Sequence, residues 1–153
     1  MALQSYMENL GTVLRIIAAK QTLPGALLPI LHDIQEELGY IPPESVSLIA
    51  KALNLSRAEV HGVITYYHHF RQTPPGRHVV RVCCAEACQA VGGEALADHA
   101  RARLEGSDLT LEPVYCLGLC AIGPVLQIDE TTLHARVTPE KFDTLMHALE
   151  EDQ

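Results

Sequence analysis

Five cysteines constrain this chain more than anything else in it, because all of them fall between positions 83 and 120 of 153 residues. Cys83, Cys84 and Cys88 form one group, and Cys116 and Cys120 the other. With Cys84 set aside, the pattern is C-x4-C, a gap of 27 residues, then C-x3-C. Glycine stands beside both groups: Gly92 and Gly93 after the first, Gly118 inside the second and Gly123 before Pro124. A fold that uses this pattern must bring two distant loops together and leave room for large sulfur atoms where they meet. Cysteine-rich loops among small residues read as a site for a thiolate-ligated metal.

The rest of the composition bounds the setting. Apolar residues make up 48% and charged residues 20%, the balance of a folded globular chain. No apolar run reaches the roughly 18–20 residues that span a bilayer. The first twenty residues are amphipathic rather than basic then apolar, so they do not read as a signal peptide. The expected location is cytoplasmic, with no direct membrane contact, and there thiols stay reduced and a cysteine cluster more often binds metal than forms disulfides. Charge is uneven. Residues 1–77 hold six basic and six acidic side chains, whereas residues 78–153 hold five and thirteen, so the whole net charge of −8 lies in the cysteine-bearing half. That disfavours nucleic acid as a partner and suits a basic protein surface, or simply solubility.

The hydrophobic period changes along the chain. In the first part Leu10, Val13, Leu14 and Ile17 mark one face of a helix. Thr22 and Pro24 suggest the start of a second, which carries Leu27, Leu28, Leu31, Ile34 and Leu38 and ends at Gly39. Pro42 and Pro43 open a third, with Val46, Ile49, Ala50 and Leu53. Ser56 and Glu59 form a capping box for a fourth, which runs through Tyr67 and is closed by Pro74-Pro75-Gly76. A four-helix unit over 1–73 is therefore expected. Its third and fourth helices resemble a helix-turn-helix, but the fourth has no basic residues beyond Arg57 and Arg71, which disfavours DNA binding. His61, His68 and His69 are candidate metal ligands without the helical His-x-x-x-His pairing, so a structural or surface role fits them better. Tyr66, Tyr67 and Phe70 are a candidate docking surface, with core packing as the alternative.

Residues 78–153 read as an α/β domain. Strands are expected over 78–83, 109–115, 125–128 and 133–137, with a helix over 94–104 and another from Thr138-Pro139 onward. The fold class is thus α+β, a helical unit followed by a small thioredoxin-like α/β layer. Cys83 ends the first strand and Cys116 follows the second. If these strands are parallel neighbours, both cysteine loops leave the same end of the sheet. Adjacent residues on a strand point to opposite sides, so Cys83 and Cys84 cannot both reach one metal. Three chemistries remain open on spacing alone: structural zinc, which prefers tighter pairs, disulfides, and a [2Fe–2S] cluster, which suits wider loops. A thioredoxin-type redox pair would need C-x-x-C, which is absent.

The stretches Val80–Cys83, Cys88 and Gly92, then Tyr115-Cys116-Leu-Gly-Leu-Cys120 with Gly123-Pro124, resemble the ligand motifs of a known family. It comprises the thioredoxin-like [2Fe–2S] subunit of the NADH-dehydrogenase module of complex I and related subunits of NAD-reducing hydrogenases and NAD-dependent formate dehydrogenases. Gly39-Tyr-Ile-Pro42 and Val63-Ile-Thr-Tyr-Tyr67 with Phe70 extend the resemblance into the helical part. Cys83-Cys-Ala-Glu-Ala-Cys88-Gln-Ala90 looks most similar to the gamma subunit of the molybdenum-dependent, NAD-linked formate dehydrogenase. The resemblance implies a [2Fe–2S] cluster held by Cys83, Cys88, Cys116 and Cys120, with Cys84 outside the ligand set. It also implies a non-catalytic, one-electron carrier working beside a flavin- and NAD-binding subunit and, for a formate dehydrogenase, a molybdenum-bearing catalytic subunit. The chain itself has no G-x-G-x-x-G stretch or P-loop for a nucleotide.

Overall fold

The computed structural model describes residues 2–151, with side chains described from residue 6 onward. The chain divides into two compact units, Met1–Pro75 and Gly76–Gln153.

The first unit holds α1 (Ala2–Lys20), α2 (Leu27–Leu38), α3 (Ser45–Leu53) and α4 (Arg57–Tyr66). Val13, Ile16, Ile17, Ile30, Leu31, Ile34, Ile49, Val60 and Ile64 form one buried cluster. The α1 stripe is rotated from the expected one: Ile16 is buried and Leu14 faces outward. Helix α2 starts at Leu27 rather than near Pro24, because Gly25 has φ 66°, outside the helical range. Gly39 caps it in the left-handed conformation at φ 81°, donating its N–H to the Gln35 carbonyl at 2.8 Å. The capping box of α4 forms as its sequence predicts, with Ser56 and Glu59 each accepting the other's backbone N–H.

Past α4 the expectations change. The helix ends at Tyr66, and Tyr67 is already extended. His68 therefore lies beyond the helix and does not share a helical face with His61. Buried Gln35 explains the departure, since its amide donates to the His69 carbonyl at 2.6 Å and accepts the Arg71 N–H at 2.7 Å. The Arg71 carbonyl in turn accepts the Ile41 N–H at 2.7 Å. Phe70 is only 7% exposed and belongs to the core, so it is no part of a docking surface, whereas Tyr66 is 75% exposed.

The second unit is a four-stranded sheet in the order β2-β1-β3-β4, formed by β1 (Val79–Cys83), β2 (Thr110–Val114), β3 (Leu126–Ile128) and β4 (Thr132–His134). Strands β1 and β2 are parallel, and the remaining pairs are antiparallel. Pro113 is tolerated because β2 lies at the sheet edge. Between β1 and the next long helix sits α5 (Glu86–Gln89), a single turn with no periodic signature in the sequence. Helices α6 (Gly93–Leu104) and α7 (Pro139–Glu151) supply Leu96, Ala100, Phe142 and Met146, which pack with Val80, Val82 and Leu126. Thr138 caps α7 through the Lys141 N–H at 3.3 Å, as expected. With α6 between parallel β1 and β2, then the β3–β4 pair and α7, the unit has the mixed helix-and-sheet layout expected for residues 78–153.

Candidate metal centre

Three segments meet at one end of the sheet. Because β1 and β2 are parallel, with Cys83 opposite Val114, their carboxyl ends lie side by side. Because β3 is antiparallel to β1, the approach to its start reaches the same end, where the Val125 carbonyl accepts the Cys83 N–H at 3.0 Å. Cys83 thus ends β1, Cys88 lies in α5, and Cys116 and Cys120 lie in the connection from β2 to β3. Two hydrogen bonds pin that connection from below: the Arg136 N–H to the Ile122 carbonyl at 2.9 Å and the Val137 N–H to the Pro124 carbonyl at 3.0 Å.

The cysteines come as two unlike pairs. Cys83 and Cys88 are each 1% exposed and pack with Val125. Cys116 and Cys120 are exposed, with their sulfurs 3.5 Å apart. None of the five cysteines is in a disulfide. Cys116 has φ 86°, a left-handed conformation rare for a residue with a side chain, and its sulfur accepts the Gly118 N–H at 3.4 Å.

Electrostatics ties the pairs together. Burial pushes the Cys83 thiol up, but the Ala85 N–H, the Cys88 thiol and the Cys116 and Leu117 N–H groups outweigh it and hold the thiol below its ordinary value. Both loops therefore direct donors at one sulfur. Burial first, then the neighbouring Cys83, pushes Cys88 up, with the Val125 N–H opposing. Cys120 is raised by Cys116, and feels Cys83 more weakly. Cys84 lies elsewhere. It packs against the α6–α7 core and lines a cavity of about 490 Å³ with Gln89, Ala97, Arg101 and Tyr115, a cavity that touches none of the other four cysteines.

Glycines make the space. A Cβ on Gly93 would sit 2.6 Å from the Cys88 carbonyl oxygen, and one on Gly123 would sit 3.2 Å from the Cys88 sulfur. Neither position admits a side chain without displacing Cys88. Sequence reading finds these glycines by their nearness to cysteine; the clearance they provide is visible only in three dimensions.

The donor set suits a two-iron group better than a single ion. Among the described residues no three His, Cys, Asp or Glu side chains are gathered to hold one metal ion. Structural zinc needs four ligands around one point, whereas a [2Fe–2S] cluster spreads four thiolates over two irons. Two sulfur pairs, with backbone N–H groups directed at them, match the second arrangement.

Comparison with known proteins points the same way. One component of the NADH-quinone oxidoreductase of Escherichia coli K12 is 33% identical over 129 residues, which is 79% of this chain and 77% of that one. A component of the NADH-quinone oxidoreductase of Thermus thermophilus is 29% identical over 132 residues, covering 81% and 73%. The H2-reduced structure of an NAD+-reducing [NiFe]-hydrogenase shares the fold with a TM-score of 0.62 at 23% identity, over 83% of this chain and 22% of that one. The sequence model of the thioredoxin-like [2Fe–2S] ferredoxins matches residues 13–150. With the paired thiols and the sheet that converges on them, that match places this chain in the thioredoxin-like [2Fe–2S] ferredoxin family.

Proposed function

We propose that the protein is a one-electron carrier subunit whose cluster is held by Cys83 and Cys88 on one side and Cys116 and Cys120 on the other. The observation that carries this reading is the convergence of two thiol pairs at one end of the β1–β2–β3 sheet, one pair buried and one exposed. When bound, the cluster supplies a reversible one-electron couple. The chain's own residues do the rest. Val125 and the buried pair exclude water from one side. The N–H groups of Ala85, Cys116 and Leu117 stabilise negative charge on the Cys83 sulfur, and that of Gly118 does so on Cys116. The exposed pair leaves a short path for an electron to a docked partner.

The partner is a flavin- and NAD-binding subunit, and the setting a cytoplasmic NAD-linked oxidoreductase. Similarity to components of NADH-quinone oxidoreductases supports that class of complex. The run from Cys83 to Ala90 favours a formate dehydrogenase with a molybdenum-bearing subunit; an NADH-quinone oxidoreductase or a hydrogenase fits the same fold, and co-purifying subunits decide among them. Among the described residues no helix is long and apolar enough to cross a membrane.

The test is metal and sulfide analysis with electron paramagnetic resonance after dithionite reduction. The expected outcome is about two irons and two sulfides per chain with a reduced-state signal. A colourless protein that stays iron-free after anaerobic reconstitution, or that holds one zinc per chain, overturns the reading.

A further inference from the structure

Strand β1 reads Val-Val-Arg-Val-Cys and is buried along its whole length, so a charged residue at its centre is out of place. Arg81 is 9% exposed. Its Nε donates to Glu112 Oε2 at 3.1 Å, and its Nη1 donates to Gln127 Oε1 at 3.3 Å and to the Asp129 carbonyl at 3.0 Å. Its Nη2 reaches Glu130 Oε1 at 3.5 Å. Glu112 and Gln127 are the strand partners of Arg81 on either side, so the network crosses three strands on one sheet face.

Stability alone is a weak reason for it. A buried ion pair repays its desolvation poorly, and well-packed apolar side chains at such positions are often as stable or more so. What the network does have is position. Side chains two apart on a strand share a face, so Arg81 lies on the same face as Cys83, its Cα about 6.6 Å back along the strand, with its guanidinium reaching the Asp129 carbonyl at the level of Val79, on the side away from Cys83. Glu112 lies at the matching level of β2, on the strand that leads to Cys116.

We propose that Arg81 and Glu112 act as opposed fixed charges that set the reduction potential of the cluster. This rests on the electron-carrier reading above. One-electron reduction would add one unit of negative charge to a cluster held by these cysteines. The guanidinium favours that charge and the carboxylate opposes it, and low exposure keeps solvent from screening either. Both are tuning residues that act on the cluster through the field rather than as ligands.

The experiment is a redox titration of the iron-loaded full chain, followed by electron paramagnetic resonance, for R81M, R81K, E112Q, E130Q and the double variant R81M/E112Q. R81M should lower the midpoint and E112Q raise it, each changing the reduced-to-oxidised ratio at fixed potential by about three- to tenfold. Tenfold corresponds to about 59 mV for one electron. R81K should recover most of the loss, the double variant should return close to wild type, and E130Q should shift the ratio less than about twofold, because the Glu130 side chain is 73% exposed. Loaded variants with unchanged midpoints overturn the proposal and leave a purely structural ion pair. If R81M does not fold, E112Q alone decides by the sign of its shift. A wild-type chain without iron overturns the electron-carrier reading instead, before any potential is measured.

Discussion

At the scale of single residues, the four paired cysteines and their neighbour Cys84 are the informative group. Cys83 ends β1 inside the sulfur-lined end of the sheet, while Cys84 turns toward the α6–α7 core. Cys84→Ala should keep the reduced-state paramagnetic signal and Cys83→Ala should abolish it, as read after identical anaerobic reconstitution; the reverse result reassigns the ligand. Cysteine spacing makes a thiol cluster legible but leaves its chemistry open; the ligand set comes from the resemblance, and the structure adds the pairing of the thiols. The difference between a buried and an exposed pair is not legible. It arises because Val125, with partly buried Ala85, Val114, Leu117 and Leu119, packs on Cys83 and Cys88, an effect of tertiary contacts that no local pattern encodes. Arg81 is hidden for a related reason: a charged residue in a short strand reads as solvent-facing until three strands are seen to surround it.

At the scale of elements, two local devices hold the helical unit. The capping box of α4 depends on an ionised Glu59, whose carboxyl is held below its ordinary value by the Ser56 N–H and then by the Ser56 hydroxyl. A depressed folded-state value means the contribution is present above the unfolded value near 4.5 and is lost as pH falls through the lowered one. Glu59→Gln should therefore be less stable than wild type at pH 7, with the gap closing below about pH 4, in urea unfolding followed by circular dichroism. Gln35 is the second device. Replacing it with Ala removes the amide that donates to the His69 carbonyl and accepts the Arg71 N–H, two part-buried hydrogen bonds. A loss of about 1–3 kcal/mol is expected in the same measurement. Most element types are legible from periodicity and caps. The errors collect where a tertiary bond overrides local preference. Helix α4 stops early because Gln35 captures the chain beyond it, α2 starts late because Gly25 turns away, and α5 is too short to show a period.

At the scale of the whole chain, each unit has its own buried cluster, but only the second is organised around sulfur. Among the described residues, the smaller buried cluster of the second unit consists of Cys83, Cys88 and Val125, so bound metal should supply much of its order. Stripping iron with a chelator should raise hydrogen exchange in α5 and residues 115–124 while α1 to α4 stay protected, as read by mass spectrometry on the full chain; uniform loss in both units would contradict this. The parallel pairing of β1 with β2 carries a consequence for biogenesis. Cys83 and Cys88 leave the ribosome well ahead of Cys116, with 27 residues between the two groups, and no turn can join parallel neighbours directly, so α6 must form and cross back first. The approach to β3 that carries Val125 is made later still. If the four paired cysteines are the ligands proposed above, a nascent chain would display half of that set with nothing to complete it, and cluster insertion would wait until translation has passed β3. On the proposed ligand set, iron and sulfide would be taken up by a finished sheet, not by an emerging one.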